Sequence, residues 1–202
     1  MARYTKSRAK LVRAFNENIF GLPKYDKILA KKPYHPGAHG KKMQRRPSDY
    51  GQQLKEKQKL KAVYGIQERQ FRHYFQTARK TQTATGEKLL QLLESRLDNL
   101  VYRAGFSRSR PAARQLVNHN HILVDAQRVN IPSCLVKPGQ VISLTQKTAK
   151  IPDVATRLAN KDVNVPKWLK RQALAAKLIR LPEREEIDTN IQEQLIVEFY
   201  SR

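Results

Sequence analysis

Apolar residues keep a helical beat in four stretches of the chain and a strand-like texture in one region between them. Phe71, Tyr74, Phe75 and Ala78 fall at i, i+3, i+4 and i+7 and predict one helix. Thr85 opens a stronger one, in which Leu89, Leu90, Leu93, Leu97, Leu100 and Val101 form a single stripe before Gly105 ends it. A shorter helix over 109–119 tolerates Pro111 in its first turn and turns Ala112, Ala113, Leu116 and Val117 inward. Near the C-terminus, Ile191, Leu195 and Phe199 share a face, with Ile196 and Tyr200 beside them. A further helix, Asp49–Tyr64, rests on its ends more than on its pattern. Ser48 is a suitable N-cap and Gly65 a suitable stop.

Beyond Gly105 come short β-like runs at Ile122–Val124, 127–131 and Val141–Leu144. Asp125-Ala126 and Lys137-Pro138-Gly139-Gln140 supply the turns. The tail from 151 starts helically, meets Pro166 and the lone Trp168, and ends in the last helix, which is expected to pack back on the helices of 49–90. Residues 1–47 show no clear period and hold Pro23, Pro33, Pro36 and Pro47 among Gly21, Gly37 and Gly40. They read as an extended basic arm ordered on a partner, with Pro36-Gly37 and His39-Gly40 as turns. The expected fold class is α+β. A mainly helical, discontinuous domain (48–94, completed by 151–202) accompanies a small α+β module (95–150) and the arm (1–47).

Charge then narrows the function. The 202 residues carry 40 Lys and Arg against 17 Asp and Glu, a net charge of +23. A free protein gains nothing from that self-repulsion, whereas each cation placed on a phosphate releases a condensed counterion. Residues 1–80 hold 21 basic and 5 acidic side chains, and residues 81–202 hold 19 and 12. Six acids, Glu183, Glu185, Glu186, Asp188, Glu193 and Glu198, crowd the C-terminal end, so that end should turn away from RNA. No stretch approaches the ~18 apolar residues of a spanning helix, and the N-terminus lacks the apolar run of a signal peptide. The single Cys134 leaves no internal disulfide and fits a reducing compartment.

The most specific stretch is 96–124, RLDNLVYRAGFSRSRPAARQLVNHNHILV. Arg108, Arg110 and Arg114 group around its second helix, and His119 and His121 follow. With Ala and Leu turned inward, the arginines point outward as an edge of guanidinium forks that suits phosphate. The bland alternative is a solvated basic helix face. Tyr64, Tyr74 and Tyr102 could stack on bases, although helical spacing favours core packing for Tyr74.

This stretch, continuing through VNIPSCLVKPGQVISL, resembles the S4-type RNA-binding module. Asn120 stands where that family commonly has Gly, and Asp125-Ala126 where it commonly has Asn-Gly. Beyond the module, MARY, PGAHGKK, SDYGQQLKEKQKLKAVYGIQERQFRHYF, TGEKLLQLLESRLDN and IQEQLIVEFYSR are similar to the ribosomal protein S4 family. The resemblance covers nearly the whole chain and is thinnest at 15–32 and 145–180. It implies a primary binder of small-subunit ribosomal RNA at a multi-helix junction, which nucleates assembly. It also implies contact with the neighbouring ribosomal protein S5, a part in translational accuracy, and a place near the channel through which messenger RNA passes. The compartment implied is bacterial cytoplasm or an organelle stroma or matrix.

The RNA-binding candidates are Arg3, Arg8, Lys10, Lys41, Lys42, Arg45, Arg46, Lys55, Lys57, Arg69, Arg72, Arg103, Arg108, Arg110, Arg114, Gln115, His119 and His121. Lys41, Lys42, Arg45 and Arg46 are the ones the resemblance places near the messenger channel. Tyr50, Gln53, Glu185, Glu186 and Asp188 are the candidate protein interface. No cofactor, metal or membrane partner is expected. Some family members have a cysteine zinc site near the N-terminus, but no Cys precedes Cys134 here, and His35 and His39 lack partner ligands in their Pro/Gly loop. Arg96-Leu97-Asp98 resembles the catalytic triplet of pseudouridine synthases. The residues after 150 are too few for their catalytic domain, and a helix-end Asp paired with Arg is the expected reading.

Overall fold

The computed structural model describes residues 4–42, 46–81, 83–160, 164–188 and 190–201. In chain order the helices are α1 (Arg8–Phe15), α2 (Pro23–Lys31), α3 (Asp49–Tyr64), α4 (Glu68–Arg79), α5 (Thr85–Glu94), α6 (Leu97–Arg103), α7 (Arg110–Asn118), α8 (Gln146–Ala149), α9 (Pro152–Ala159) and α10 (Glu193–Ser201). The strands are β1 (Ile122–Val124), β2 (Gln127–Arg128), β3 (Val141–Leu144), β4 (Leu169–Gln172) and β5 (Ala175–Leu178). The class is α+β. Two compact units divide the chain, one of residues 1–76 with 190–202 and one of residues 77–189.

In the first unit α3 begins and ends as its sequence dictates. The Ser48 hydroxyl accepts the Gly51 N–H at 3.3 Å. Gly65 takes φ 64°, a left-handed cap that costs a glycine least. α10 packs along α3. The Tyr200 ring stacks with Phe75 at 4.6 Å and Phe71 at 6.1 Å between centroids, each pair worth ~0.5–1.5 kcal/mol beyond burial. Lys59 is buried and binds both the Glu17 carboxylate, at 2.6 Å, and the Asn190 carbonyl, so it ties the N-terminal segment and the approach to α10 onto α3.

The expected extended arm is instead partly helical. α1 and α2 pack on each other, α1 also touches α3, and Val12 and Tyr25 are buried. Pro23, one of the prolines of the expected arm, sits in the first turn of α2, where its missing N–H has no partner to lose. At the Pro36-Gly37 and His39-Gly40 turns, a Cβ on Gly40 would collide with the His35 carbonyl.

The second unit is a five-stranded antiparallel sheet of order β2-β1-β3-β5-β4, with helices packed on it. Leu97, Leu100 and Phe106, then Ala113 and Val117 of α7, meet Ile122, Ile142 and Leu144 of the sheet. Trp168, Leu169 and Leu178 complete the same core. The division expected at 150 is therefore corrected. Residues 151–188 belong with the module, because β5 pairs with β3 and carries Ala176 and Leu178 into its core. Only 190–202 joins the first unit, and α5, assigned by sequence to the helical domain, falls in the second.

The single leucine helix is also corrected. It breaks after Glu94, Arg96 is extended (φ −67°, ψ 139°), and α6 starts at Leu97. The loop at 132–136 captures the backbone at the break. Leu97 N–H donates to the Cys134 carbonyl at 2.9 Å, Asp98 N–H to Pro132 at 3.2 Å, and Val136 N–H to Ser95 at 2.9 Å. At the β1–β2 hairpin both Asp125 (φ 48°) and Ala126 (φ 66°) adopt the positive φ of a two-residue primed turn, which suits Ala poorly. The Asp125 carboxylate offsets this by accepting the Val141 N–H at 2.9 Å and the Gln140 amide at 2.6 Å. Those bonds, the one from Val141 foremost, hold its pKa below the ordinary aspartate value.

Candidate nucleic-acid interface

The second unit's basic face is built on α7. Ala113 and Val117 face the core, which leaves Gln115, Asn118 and His119 exposed. The three grouped arginines do not share one environment. Arg108, just before the helix, has a side chain 65 % exposed and only a loose pairing with Asp153 at 3.8 Å. Arg110 is half-buried, donates from Nε to the Asn99 side-chain oxygen at 2.8 Å, and lies 4.7 Å from the Tyr102 ring centroid. Arg114 is only 12 % exposed and pairs with Asp98 at 3.2 Å.

Behind these arginines lie two interior carboxylates. Asp98 accepts from Arg96 Nε at 3.0 Å and Nη2 at 2.7 Å, and from Arg114. Glu94 accepts from the Asn99 amide at 2.6 Å and from Arg103 at 3.0 and 2.8 Å. Arg96 and Glu94 are fully buried, and Asn99 nearly so. The Arg-Leu-Asp triplet is thus an internal ion pair whose Asp is enclosed by two arginines. Arg103 and Arg114, expected to point outward to phosphate, are instead drawn toward these carboxylates. A helix's apolar pattern says which residues face the core, but it does not say which cations will find a buried acid.

His119 and His121 close α7, with ring centroids 6.1 Å apart around Asn120, which takes φ 59°. The His121 carbonyl accepts from Thr145 N–H at 3.1 Å and the Thr148 hydroxyl at 3.2 Å. These bonds tie α8, which carries the exposed Lys147, to the His121 backbone. Two further lysines lie in no pattern of the sequence that marks an anion site. Lys170 and Lys177 face each other across β4 and β5 and are both exposed. Like charges opposite one another on a ladder destabilise it, and an anion relieves the repulsion. The stretch 169–178, LKRQALAAKL, lacks the apolar–polar alternation of a half-buried strand, which is why it reads as tail.

In the first unit, Lys10, Lys42, Arg46, Lys55, Arg69 and Arg72 are exposed. Arg8 lies 5.7 Å from the Phe20 ring and Lys41 5.4 Å from Tyr34. Arg3 and Arg45 lie outside the described residues. Lys57 is an interior cation: it bonds Glu68 at 3.1 Å and sits 4.2 Å from the Phe199 ring. Burial pushes the Glu68 carboxyl up, but bonds from Lys61, Tyr200 and Lys57 outweigh it and bring its pKa down to about 2. Burial and the bond to Glu68 hold the Tyr200 phenol above its ordinary value.

Of the expected protein interface, Tyr50 is 51 % exposed and its ring lies tilted against Phe199, 5.6 Å between centroids. Gln53 is buried and donates to Glu198 at 2.9 Å, so it joins α3 to α10. In the other unit, Glu186 sits in a 3-10 turn (Arg184–Glu186) and binds Arg180 at 2.6 Å, which lowers its pKa. Asp188 reaches Arg103 at 3.7 Å, and Glu185 is exposed. Among the described residues no group of three or more His, Cys, Asp or Glu could hold a metal ion, and no helix is long and apolar enough to cross a membrane.

Comparison with known proteins gives this face its setting. Residues 3–94 match the ribosomal protein S4/S9 N-terminal domain, and residues 95–142 match the S4 domain. The small ribosomal subunit protein uS4 of Parabacteroides distasonis is 50 % identical over 204 residues, covering 100 % of both chains. The chain belongs to the uS4 family. The uS4 proteins of Bacteroides fragilis and Cytophaga hutchinsonii are each 48 % identical, again over 100 % of both chains. The break between the two uS4 domain matches, after residue 94, coincides with the end of α5, and the S4-domain match ends within β3. The β4–β5 hairpin with its facing lysines thus lies outside both matches.

Proposed function

We propose that this chain is a structural, non-enzymatic protein of the small ribosomal subunit that binds ribosomal RNA. Membership of the uS4 family over the full length carries the reading. The basic faces described above supply its physical means. Where several RNA helices converge, their phosphates repel, and cations fixed on a folded surface favour the closed junction over open forms. Shape and backbone recognition suffices for A-form RNA. On this reading Arg108, Arg110, Gln115, His119 and His121 meet RNA in one unit, and Arg8, Lys10, Lys55, Arg69 and Arg72 in the other. Lys57, Arg103 and Arg114 hold the protein together beneath them.

In the same proposal the protein binds early and nucleates assembly, and it lies near the messenger channel, where Lys41, Lys42 and Arg46 face the message. It touches ribosomal protein S5 through Tyr50 and the acids of 185–188, and through that contact it bears on decoding accuracy. The test is cosedimentation with small ribosomal subunits after a high-salt wash. Retention is expected, together with direct binding to a transcript of the small-subunit RNA. Release into the wash and no affinity for that transcript would overturn the reading.

A further inference from the structure

We propose that the cleft between α1 and α2 receives one unstacked nucleotide of the bound RNA; the inference rests on the ribosomal RNA reading above. Between the two helices lies an open cleft of ≈ 400 Å³. Ala9 and Ile28 give it an apolar wall, extended by the carbon stems of Lys10, Lys31 and Lys32, and Arg13 lines it too. Four cations therefore converge on this cleft and, among the described residues, no acid lines it. The acids nearest in sequence are engaged elsewhere. Glu17 pairs with Lys59 at 2.6 Å, and Asp26 accepts from the Asn18 amide at 2.9 Å.

Arg13 is held in place before any ligand arrives. Its Nε donates to the Tyr34 carbonyl and its Nη2 to the His35 carbonyl, both at 3.0 Å, and its guanidinium lies 4.8 Å from the Tyr34 ring centroid. A cation fixed in this way loses little freedom on binding. Lys10, Lys31 and Lys32 are exposed, and their ammonium groups are able to close over a phosphate.

The occupant follows from size and chemistry. A bare phosphate needs cations but neither an apolar wall nor this volume. A cavity at the low end of the ~300–1,000 Å³ range of small-molecule sites accommodates one nucleotide. The base lies against Ile28, Ala9 and the Arg13 plane, and the phosphate sits among the lysines. Splayed bases of single-stranded RNA are recognised on such apolar and guanidinium surfaces.

The experiment uses the full chain and a transcript of the small-subunit ribosomal RNA, with affinity followed across salt. Ile28→Trp fills the cleft without removing charge. It is expected to lower affinity about tenfold with the salt slope unchanged. Lys31→Gln with Lys32→Gln is expected to reduce the slope by roughly 0.7 for every phosphate that is no longer neutralised. A benzophenone placed on Ala9→Cys in a Cys134→Ser background is expected to crosslink to a single nucleotide. This readout stands even if Ile28→Trp fails to fold. Parent-like binding by a folded Ile28→Trp protein, or crosslinks that are absent or scattered, would overturn the nucleotide site while RNA binding itself survives. Failure of the unmodified chain to bind the transcript would instead bring down the ribosomal reading, and the cleft with it.

Discussion

Asn99 presents its side-chain oxygen to Arg110 because Glu94 has taken its nitrogen. The two contacts are 2.8 Å and 2.6 Å. An ionised carboxylate only accepts, so the buried Asn99 amide must turn its NH2 toward Glu94 and its oxygen toward the guanidinium. The Tyr102 ring at 4.7 Å gives Arg110 a second support. Replacing Asn99 by Leu removes both bonds. RNA affinity should fall severalfold while Arg110 itself is untouched. Stability should fall by ~1–3 kcal/mol, because buried Glu94 is deprived of a donor. Fluorescence anisotropy with labelled RNA and urea denaturation read the two effects separately. Unchanged affinity would show that Arg110 does not depend on Asn99 for its position.

Asp98 neutralises a fully buried arginine, Arg96, through two bonds at 3.0 and 2.7 Å. Asp98→Ala strands that charge, and the expected destabilisation is ~3–5 kcal/mol. Replacing both residues, Arg96→Met with Asp98→Leu, should restore most of it, since an apolar pair needs no charge partner there. Chemical denaturation of the single and double variants decides the point. A double variant as unstable as the single would mean that the pair holds the α5–α6 break by geometry and not by charge.

The docking of α10 should be acid-sensitive. Glu68 has a folded pKa of about 2 against an ordinary 4.5, so its ionised form favours the folded state. Its contribution is complete above about pH 4.5 and is lost as pH falls toward 2. Asp125 and Glu186, also depressed, act with the same sign. Glu68→Gln should flatten part of the fall in melting temperature over this window and leave the neutral-pH protein less stable. The Glu68 carboxylate is partly exposed, so salt will weaken the effect. An equally steep acid limb in the variant would remove Glu68 as its source.

Lys170 and Lys177 set stability against binding. Lys177→Glu turns a repulsive cross-strand pair into an attractive one, worth ~0.2–1 kcal/mol to the hairpin. The free protein should melt slightly higher and bind RNA more weakly, with a shallower salt slope. If affinity is unchanged, the lysines protect the edge strand β4 from pairing with other chains.

Much of this protein is fixed by local chemistry that the chain displays openly. Ser48 and Gly65 bound α3 because a hydroxyl cap and a left-handed glycine act within a few residues. Ala113 and Val117 orient α7 for the same reason, and the charge of +23 calls for a polyanion whatever the fold. The S4-type stretch carried the family and the class of site. Long-range contacts decided the rest. The leucine stripe breaks at Arg96 because residues 132–136 capture its backbone. Residues 1–47 form α1 and α2 because each buries a residue against a neighbour, Val12 or Tyr25, that no local pattern reveals. Residues 169–178 become a hairpin because β3 offers an open edge. Which arginines remain at the surface depended on where Glu94 and Asp98 were buried. Periodicity within one helix cannot say this, because the pairing of charges is set by distance in space.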